Sequence, residues 1–287
     1  MKPGPYTFVD ATVSLEGARA GIIGLPWDGT ASYRKGTAAG PDALREASQS
    51  IETYDPVLDV DIHECGPYTD FGNISPNVSD PKEVIDHIRA SLAKIPEALP
   101  LAGIGGEHSV SFPLVERALQ NHPDLFFMVF DAHADLRDEY EGTPFSHACV
   151  SRRVLDMIGP DRIAMFGVRS GIKEEFELMR NRRMIYPTTA KGMKAALKKA
   201  GKRPLYISVD VDGFDPSLLP GTGTVEPGGF SWADWEAMTT PILGHKIAGV
   251  DVVELAPGFD PTGRSTVIAA RVLRTLLALL FSHRCTS

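Results

Sequence analysis

The sequence predicts an α/β fold: a single domain with a mainly parallel β-sheet flanked by helices on both faces. Short apolar runs alternate along the 287 residues with longer segments of helical period, the pattern of strands joined by crossover helices. The runs are apolar at nearly every position, as in strands that are covered on both faces. Because no stretch rich in Pro, Gly or Ser is long enough to act as a linker, we expect residues 1–287 to form one domain.

The first half of the chain alternates predicted strands with predicted helices. The strands are the apolar runs 20–25, 99–104 and 125–130, and the helices are 41–52, 81–94 and 110–120. Proline stands in the first turn of two of these helices, where its missing N–H costs no hydrogen bond. The helix 81–94 also carries an apolar stripe, Val84, Ile85, Ile88 and Leu92, which we expect to be buried.

The second half repeats the pattern. Its predicted strands are 163–168, 205–209 and 248–253, and its predicted helices are 232–239 and 265–281. The last helix is the longest apolar segment, but Arg271 and Arg274 interrupt it and leave only residues 275–281 free of charge. That length is too short to span a bilayer, so we expect a buried helix and no membrane partner.

Composition narrows the class of protein. Hydrophobic residues at 43% and charged residues at 23% are typical of a globular enzyme. A net charge of -8 argues against a sequence-independent nucleic-acid surface, which needs clustered Lys and Arg. Cys65, Cys149 and Cys285 are far apart and follow no recognisable signal peptide, so we expect no disulfide framework and a cytoplasmic location.

Three residues with metal-binding side chains stand at alternate positions where the predicted strand 125–130 ends: Asp131, His133 and Asp135. On an extended backbone, residues two apart share a face, so their side chains can converge on one ion. A single Asp in this place would more often cap a helix or complete a turn, but three together are poorly explained in that way. The cluster therefore predicts a metal site.

A second acidic pair strengthens this prediction. Asp210 and Asp212 follow the strand 205–209 with the same spacing, and His108 follows the strand 99–104 in a glycine-rich turn. Parallel sheets bind ligands at the carboxyl ends of their strands, where all these residues lie. Carboxylates and imidazoles suit hard or borderline divalent ions such as Mn²⁺, and the number of ligands favours two ions. Asp131 and Asp210 are candidate bridges.

Two further residues are candidates for a role in catalysis. His147 lies in a loop beyond Asp135, where it could transfer protons or be merely structural. Glu254 follows the strand 248–253, where it could receive a planar guanidinium or form a salt bridge or a cap. Asp251, on the same strand, is a rival for either role of Glu254.

These segments closely resemble the ureohydrolase family of arginases and agmatinases, and most of all the agmatinases. The resemblance lies in three metal motifs, residues 105–109, 131–135 and 208–216, of which the last two are highly specific. It extends to residues 36–41 with Arg45, to the loop 221–229 and to the stretch 251–254. It implies an arginase-like three-layer α/β/α fold, commonly assembled into trimers or hexamers.

The resemblance also implies roles for single residues. His108, Asp131, Asp135 and Asp210 would hold one Mn²⁺, and His133, Asp131, Asp210 and Asp212 would hold the other. His147 would be the proton shuttle, and Glu254 would bind the guanidinium while a hydroxide bridging the metals attacks its carbon. The chain departs from the family in Glu107, where many relatives carry Asp, and in Ala148 and Cys149 after His147.

The expected substrate is a small cationic guanidino compound, most of all agmatine, which would yield putrescine and urea. Asp138, Glu139 and Glu141 precede His147, and acidic groups there would favour an amine over a carboxylate, although Arg137 lies beside them. Guanidinobutyrate and arginine remain open as substrates. A binuclear metallophosphoesterase or a non-catalytic metal-binding relative would be alternatives from other classes, the latter favoured only if His147 or Glu254 were missing.

Overall fold

The computed structural model describes residues 5–12 and 14–285, with side chains for all of these up to residue 283. Eight strands form one sheet in the order β4-β1-β5-β10-β9-β6-β7-β8, and every neighbouring pair is parallel. β2 and β3 form a separate antiparallel hairpin. The strands are β1 Gly21–Leu25, β2 Tyr54–Asp55, β3 Val60–Asp61, β4 Thr69–Asn73, β5 Leu101–Gly105, β6 Phe126–Phe130, β7 Ile163–Phe166, β8 Ile185–Tyr186, β9 Leu205–Asp210 and β10 Ile247–Val253.

Helices cover both faces of the sheet. They are α1 Gly40–Ser48, α2 Pro81–Leu92, α3 Ser111–Asn121, α4 Val150–Ile158, α5 Lys173–Asn181, α6 Ala190–Ala200, α7 Trp232–Thr239 and α8 Arg264–Cys285. Apolar residues of α1, α6, α7 and α8 pack in one core, and those of α2 to α5 pack in the other. The predicted three-layer α/β/α fold is therefore confirmed.

Strand β6 illustrates why the sequence folds in this way. Phe126, Met128 and Phe130 point into one core, whereas Phe127 and Val129 point into the other. All five are fully buried. Because successive side chains alternate between the faces, a strand between two helical layers must be apolar at every position, which is the pattern read from the sequence.

The four central strands of the sheet position the candidate site. β5, β10, β9 and β6 are neighbours, and the chain leaves each of them at the same edge of the sheet. His108 follows β5, Asp131 follows β6, Asp210 ends β9 and Glu254 follows β10. Four segments that are distant in sequence thus bring their polar residues together at the carboxyl edge.

Each predicted strand and helix is present with small shifts at its ends, except that the helix predicted at 41–52 ends at Ser48. Strands β4 and β8, the hairpin of β2 and β3, and helices α4, α5 and α6 were not predicted. The edge strand β8 has only two residues, and β4 contains Asp70 and Asn73, so neither is an apolar run. The division into domains stays a prediction.

Two sequence expectations concern the C-terminal helix and the cysteines. Helix α8 is long and apolar enough to cross a membrane by composition, but 83% of its apolar window is buried inside the protein, as expected of a core helix. Cys149 is buried and free, whereas Cys65 is disulfide-bonded, so the expectation of no disulfide framework was wrong for Cys65. Cysteine spacing reports only on neighbours in sequence and misses pairs made by tertiary folding.

Candidate metal centre

His108 stands at the centre of the first group of potential metal ligands. Its Nδ1 lies 3.0 Å from Asp131 Oδ2, 3.2 Å from Asp135 Oδ2 and 3.4 Å from Asp210 Oδ2. The imidazole and all three carboxylates are buried. One nitrogen facing three carboxylate oxygens is a donor set that suits a divalent cation.

His133 belongs to a second group beside the first. Its Nδ1 lies 2.9 Å from Asp212 Oδ2 and 3.6 Å from Asp131 Oδ1. Donor atoms of His108, Asp131 and Asp135, and likewise those of Asp131, His133 and Asp212, approach one another within 4.8 Å. Asp131 is common to both groups, one oxygen turned to each, as a bridging ligand requires.

Two atoms of this cluster provide a test of whether a metal fits. Nδ1 of His108 and Oδ2 of Asp131 are fully buried, and neither has a hydrogen-bond partner of good geometry. Buried polar atoms without partners are costly and rare. A cation between the two groups would satisfy both, so the residues present fit a metal.

Backbone N–H groups hold the carboxylates in place. The amide of His133 donates to Asp131 Oδ1, that of Ala132 to Asp212 Oδ1, and that of Asp212 to Asp210 Oδ1. Asp135 and Glu254 both adopt a positive φ, at 50° and 64°, which is uncommon for residues other than glycine. Such backbone strain often accompanies functional sites.

Gly106 allows the turn that carries His108. A Cβ on this residue would lie 2.0 Å from the carbonyl oxygen of Trp27, so only glycine fits there. Its amide donates to Leu25, and its carbonyl accepts from the amide of Glu254. The turn thereby ties the ends of β1, β5 and β10 together.

A hydrogen-bond chain orients the ring of His108. Its Nε2 lies 3.0 Å from the hydroxyl of Ser208, which donates to Asp251 Oδ1 at 2.6 Å, while Tyr206 donates to Asp251 Oδ2 at 2.7 Å. Because the hydroxyl of Ser208 donates its hydrogen bond to Asp251, its oxygen must accept a hydrogen bond from Nε2–H. The lone pair of His108 then resides on Nδ1, the atom facing the carboxylates. Asp251 is therefore a support for a ligand and not a rival of Glu254.

The buried carboxylates of the cluster repel one another, and added positive charge would stabilise them. Burial and the neighbouring Asp131 raise the pKa of Asp135 to about 7, and burial with Asp212 and Asp131 raises that of Asp210 well above its usual value. Burial opposes a charge on His133, but the neighbouring carboxylates, Asp212 foremost, raise its pKa to about 12. Without a metal, the folded protein thus compensates by retaining protons on these ligands.

Glu254 and His147 lie beside this cluster. Glu254 Oε1 accepts a hydrogen bond from the His108 amide at 2.8 Å, and burial together with Glu107 raises its pKa well above the usual value. Burial, chiefly, lowers the pKa of His147 to about 4, while a backbone hydrogen bond to Thr30 works in the opposite direction. A neutral His147 at physiological pH can accept a proton.

A cavity of about 250 Å³ gives access to the cluster. It is lined by His133, Asp135, Asp210, Asp212, His147 and Glu254, together with Ser32, Arg137, Tyr140, Ser170, Ile172, Glu175 and Thr224 among others. All the predicted site residues except His108 and Asp131 thus reach the cavity wall. Those two lie behind it, fully enclosed in the core.

The acidic residues expected to receive the amine of the substrate do not line this cavity. Asp138, Glu139 and Glu141 are exposed, and Asp138 pairs with Arg152 and Arg153. That prediction was wrong because the loop turns these side chains outwards to solvent. A further acidic residue on the cavity wall is Glu175, only 5% exposed, with oxygens that accept from the amides of Leu136 and Ile172. Sequence reasoning missed it because its helix, α5, was not predicted.

Comparisons with known proteins agree with this geometry. The model of the arginase family matches residues 18–278. An agmatinase of Bacillus cereus is 38% identical over 276 residues, 94% of each chain, and an N(1)-aminopropylagmatine ureohydrolase of Thermococcus kodakarensis is 39% identical over 91% of this chain and 90% of its own. The solved structure of proclavaminate amidino hydrolase from Streptomyces clavuligerus superposes with a TM-score of 0.91 at 26% identity over 98% of each chain.

The first prediction concerns the support of His108. Ser208→Ala removes the hydroxyl that fixes the imidazole, and we expect Mn²⁺ affinity to fall by roughly 10- to 100-fold. Ser91→Ala, at a buried serine on α2, is the matched control and should leave the affinity unchanged. Titration calorimetry on metal-free protein measures both, and equal affinities for the two variants would contradict the orienting role.

The second prediction concerns pH. A raised pKa on Asp135 means that the metal-free folded state binds more protons than the unfolded chain between about pH 4 and about 7, and His133 does the same between about 6.5 and about 12. Stability of the metal-free protein should therefore fall as pH rises through these windows. Melting temperatures at pH 5, 7 and 9, with Mn²⁺ or with chelator, should show a metal-induced gain that widens with pH. A gain that narrows would contradict this account.

Proposed function

The chain belongs to the arginase family, and we propose that it is a ureohydrolase of the agmatinase type, which hydrolyses agmatine to putrescine and urea. The observation that carries the proposal is a pair of buried ligand groups sharing Asp131, next to Glu254 and His147 at one cavity. A binuclear site beside a carboxylate and an imidazole has the parts needed to hold a guanidinium, attack its carbon and protonate the departing amine.

We assign the metal ligands as two sets that share Asp131 and Asp210. His108 and Asp135 complete one set, and His133 and Asp212 complete the other. The all-oxygen and imidazole donors favour Mn²⁺ over metals that prefer thiolates. Bound there, two ions would lower the pKa of water far below its bulk value of ~15.7, and so make a nucleophile available at neutral pH.

Glu254 is suited to orient the guanidinium. One of its oxygens is held by the His108 amide, which leaves the other free to accept from a substrate N–H. A cationic guanidinium, like the metals, favours the ionised form of this buried carboxylate. Holding the plane of the substrate fixed lowers the entropic cost of the attack.

His147 is suited to move the proton. The departing amine is too basic to leave as an anion, so it must be protonated as the carbon–nitrogen bond breaks. A neutral imidazole on the cavity wall can take a proton released by water and give it to the amine nitrogen. Water thus supplies both the oxygen of urea and the proton of the amine.

Glu175 supports a substrate with a cationic far end. Glu175 is buried in the wall of the cavity, and none of the ion pairs found among the described residues involves it. The primary amine of agmatine, or the longer amine of aminopropylagmatine, would supply the missing positive charge. This replaces the exposed acidic residues of the loop as the source of selectivity.

Arg137 favours a second candidate, a guanidino acid such as guanidinobutyrate. Its side chain also lines the cavity, with the guanidinium 4.9 Å from the centre of the Tyr140 ring. A substrate carboxylate could pair with it. Arginine, which carries both charges at its far end, would be received by Arg137 and Glu175 together.

We further propose a homo-oligomer, a trimer or hexamer, located in the cytoplasm. The relatives in the arginase family and the buried position of α8 support a chain that functions without a membrane. Disulfides are rare in reducing compartments, so the disulfide at Cys65 does not support this location.

The third prediction tests the reaction itself. Protein loaded with Mn²⁺ should release urea from agmatine with a higher kcat/KM than from guanidinobutyrate or arginine. A higher value for guanidinobutyrate would favour the second candidate. Absence of urea from every guanidine, with metal shown to be bound, would contradict the ureohydrolase proposal, and a generic phosphate ester in the same assay tests for phosphoesterase activity.

The fourth prediction tests Glu175 as the receptor of the amine. Glu175→Gln removes the charge, and we expect the kcat/KM ratio of agmatine to butylguanidine, which lacks the amine, to fall about tenfold or more. The ratio isolates the charge because a general distortion of the site affects both substrates. Glu174→Gln, at the exposed neighbour on α5, is the matched control. An unchanged ratio for Glu175→Gln would exclude this role.

A further inference from the structure

Glu107 is a buried carboxylate that the proposed reaction does not use. It is fully buried and accepts three hydrogen bonds: from the Thr30 amide at 2.7 Å, the Thr30 hydroxyl at 2.5 Å and the Ser109 hydroxyl at 2.6 Å. None of the ion pairs of the described residues supplies it with a cation. The turn after β5 therefore turns His108 towards the metal ligands and its neighbour Glu107 towards the loop that contains Thr30.

Thr30 connects Glu107 to His147. Its hydroxyl oxygen accepts from the His147 amide at 3.0 Å and lies 3.3 Å from the ring Nδ1. A hydroxyl has a single hydrogen, and that of Thr30 points to Glu107 Oε1. Only lone pairs of Thr30 therefore face Nδ1, and an Nδ1 without hydrogen would set two lone pairs against each other.

Neighbouring hydroxyls are compatible with a hydrogen on Nδ1. Ser146 Oγ lies 3.3 Å from the same nitrogen, and its hydroxyl is free to rotate and accept. Ser32 Oγ, on the cavity wall, lies 3.5 Å from Nε2. Nε2 is thus the ring nitrogen on the cavity side.

We propose that Glu107 and Thr30 are positioning residues that hold neutral His147 as the tautomer with hydrogen on Nδ1, so that Nε2 is the atom that accepts and delivers the proton. The inference rests on the proposed function in one respect, that His147 transfers a proton. The same arrangement of hydrogen bonds is present among the candidate metal ligands, where Asp251 and the hydroxyl of Ser208 fix the tautomer of His108. In both arrangements, the hydroxyl donates its hydrogen bond to a buried carboxylate. Its oxygen can then only accept, so the imidazole nitrogen that faces it carries the hydrogen.

These hydrogen bonds also join parts of the polypeptide that are distant in sequence. Thr30 is 77 residues from Glu107 and 117 residues from His147. The contact therefore couples the turn that holds the first metal ligand to the loop that carries the proton-transfer group. A change at Glu107 would therefore reach the ring of His147 through the hydroxyl of Thr30.

The fifth prediction is a kinetic test of the hydrogen bonds that link Glu107, Thr30 and His147. Thr30→Val keeps the shape of the side chain and removes the hydroxyl, and we expect kcat to fall about tenfold or more, with KM and bound Mn²⁺ little changed. Thr30→Ser restores the hydroxyl and should recover most of the loss. In the His147→Asn background, Thr30→Val should cost nothing further, because the group that it positions is gone.

Equal losses from Thr30→Val in both backgrounds, or an unchanged kcat in the single variant, would overturn the proposal. Glu107→Gln, which exchanges an acceptor for an amide donor next to Thr30, tests the same cycle if Thr30→Val does not fold. Its loss of kcat should likewise vanish in the His147→Asn background.

Neutron diffraction supplies a readout that does not depend on activity. In deuterated crystals grown at pH 8, we expect deuterium on Nδ1 of His147, none on Nε2, and the Thr30 deuterium directed at Glu107. Deuterium on Nε2 would overturn the assignment. A protein inactive on every guanidine but with deuterium on Nδ1 would contradict the proposed function and leave the tautomer assignment standing.

Discussion

The burial of five carboxylates around two imidazoles is the constraint on which this structure depends. Asp131, Asp135, Asp210, Asp212 and Glu254 are all at most 8% exposed, and the ion pairs that the described residues make with them involve only His108 and His133. Burying so many like charges is costly unless cations compensate for them. The chain supplies no lysine or arginine for this purpose in the part that the structure describes. Bound cations would supply this compensation, and without them the ligands retain protons, as the raised pKa values of Asp135 and Asp210 indicate.

The fold meets this constraint by gathering strand ends. Four adjacent parallel strands deliver the acidic residues to one edge, and backbone amides in the turns that follow donate to the carboxylate oxygens. Each of these hydrogen bonds fixes the orientation of a carboxylate before an ion binds, so the entropic cost of ordering these side chains on binding is small. The positive φ of Asp135 and Glu254 is the local cost of turning these side chains inwards. Rigid apolar strands such as β6 hold that strain in place.

The sequence predicted the cluster of potential metal ligands better than its surroundings, and the reason is physical. Ligands such as Asp131, His133 and Asp135 follow from alternation on one strand end, which is local information. The number of ligands already made Asp131 a candidate bridge between two ions, whereas the assignment of every ligand to one ion needed the family resemblance. The structure places Asp131 in both groups. In the sequence, Ser208 and Asp251 look like ordinary polar residues of two separate strands. Their contact, like that of Thr30 with Glu107, arises only when the chain folds. The prediction that acidic residues of the loop around Asp138 receive the amine was wrong, because composition does not reveal which side of a loop faces the cavity.

In the proposed function, Glu175 and Arg137 would compete for the far end of the substrate. Both line the cavity, but Glu175 is 5% exposed, whereas Arg137 is only partly buried and its guanidinium stacks on Tyr140. A charge in a low-dielectric wall acts several times more strongly than one that water screens, since the interaction scales inversely with the effective dielectric constant. The two amides that bind Glu175 orient its carboxylate but leave its net charge in place. For the proposed reaction, this arrangement would favour a cationic tail over an anionic one, and a substrate with both charges would gain from Arg137 only what a solvated guanidinium contributes.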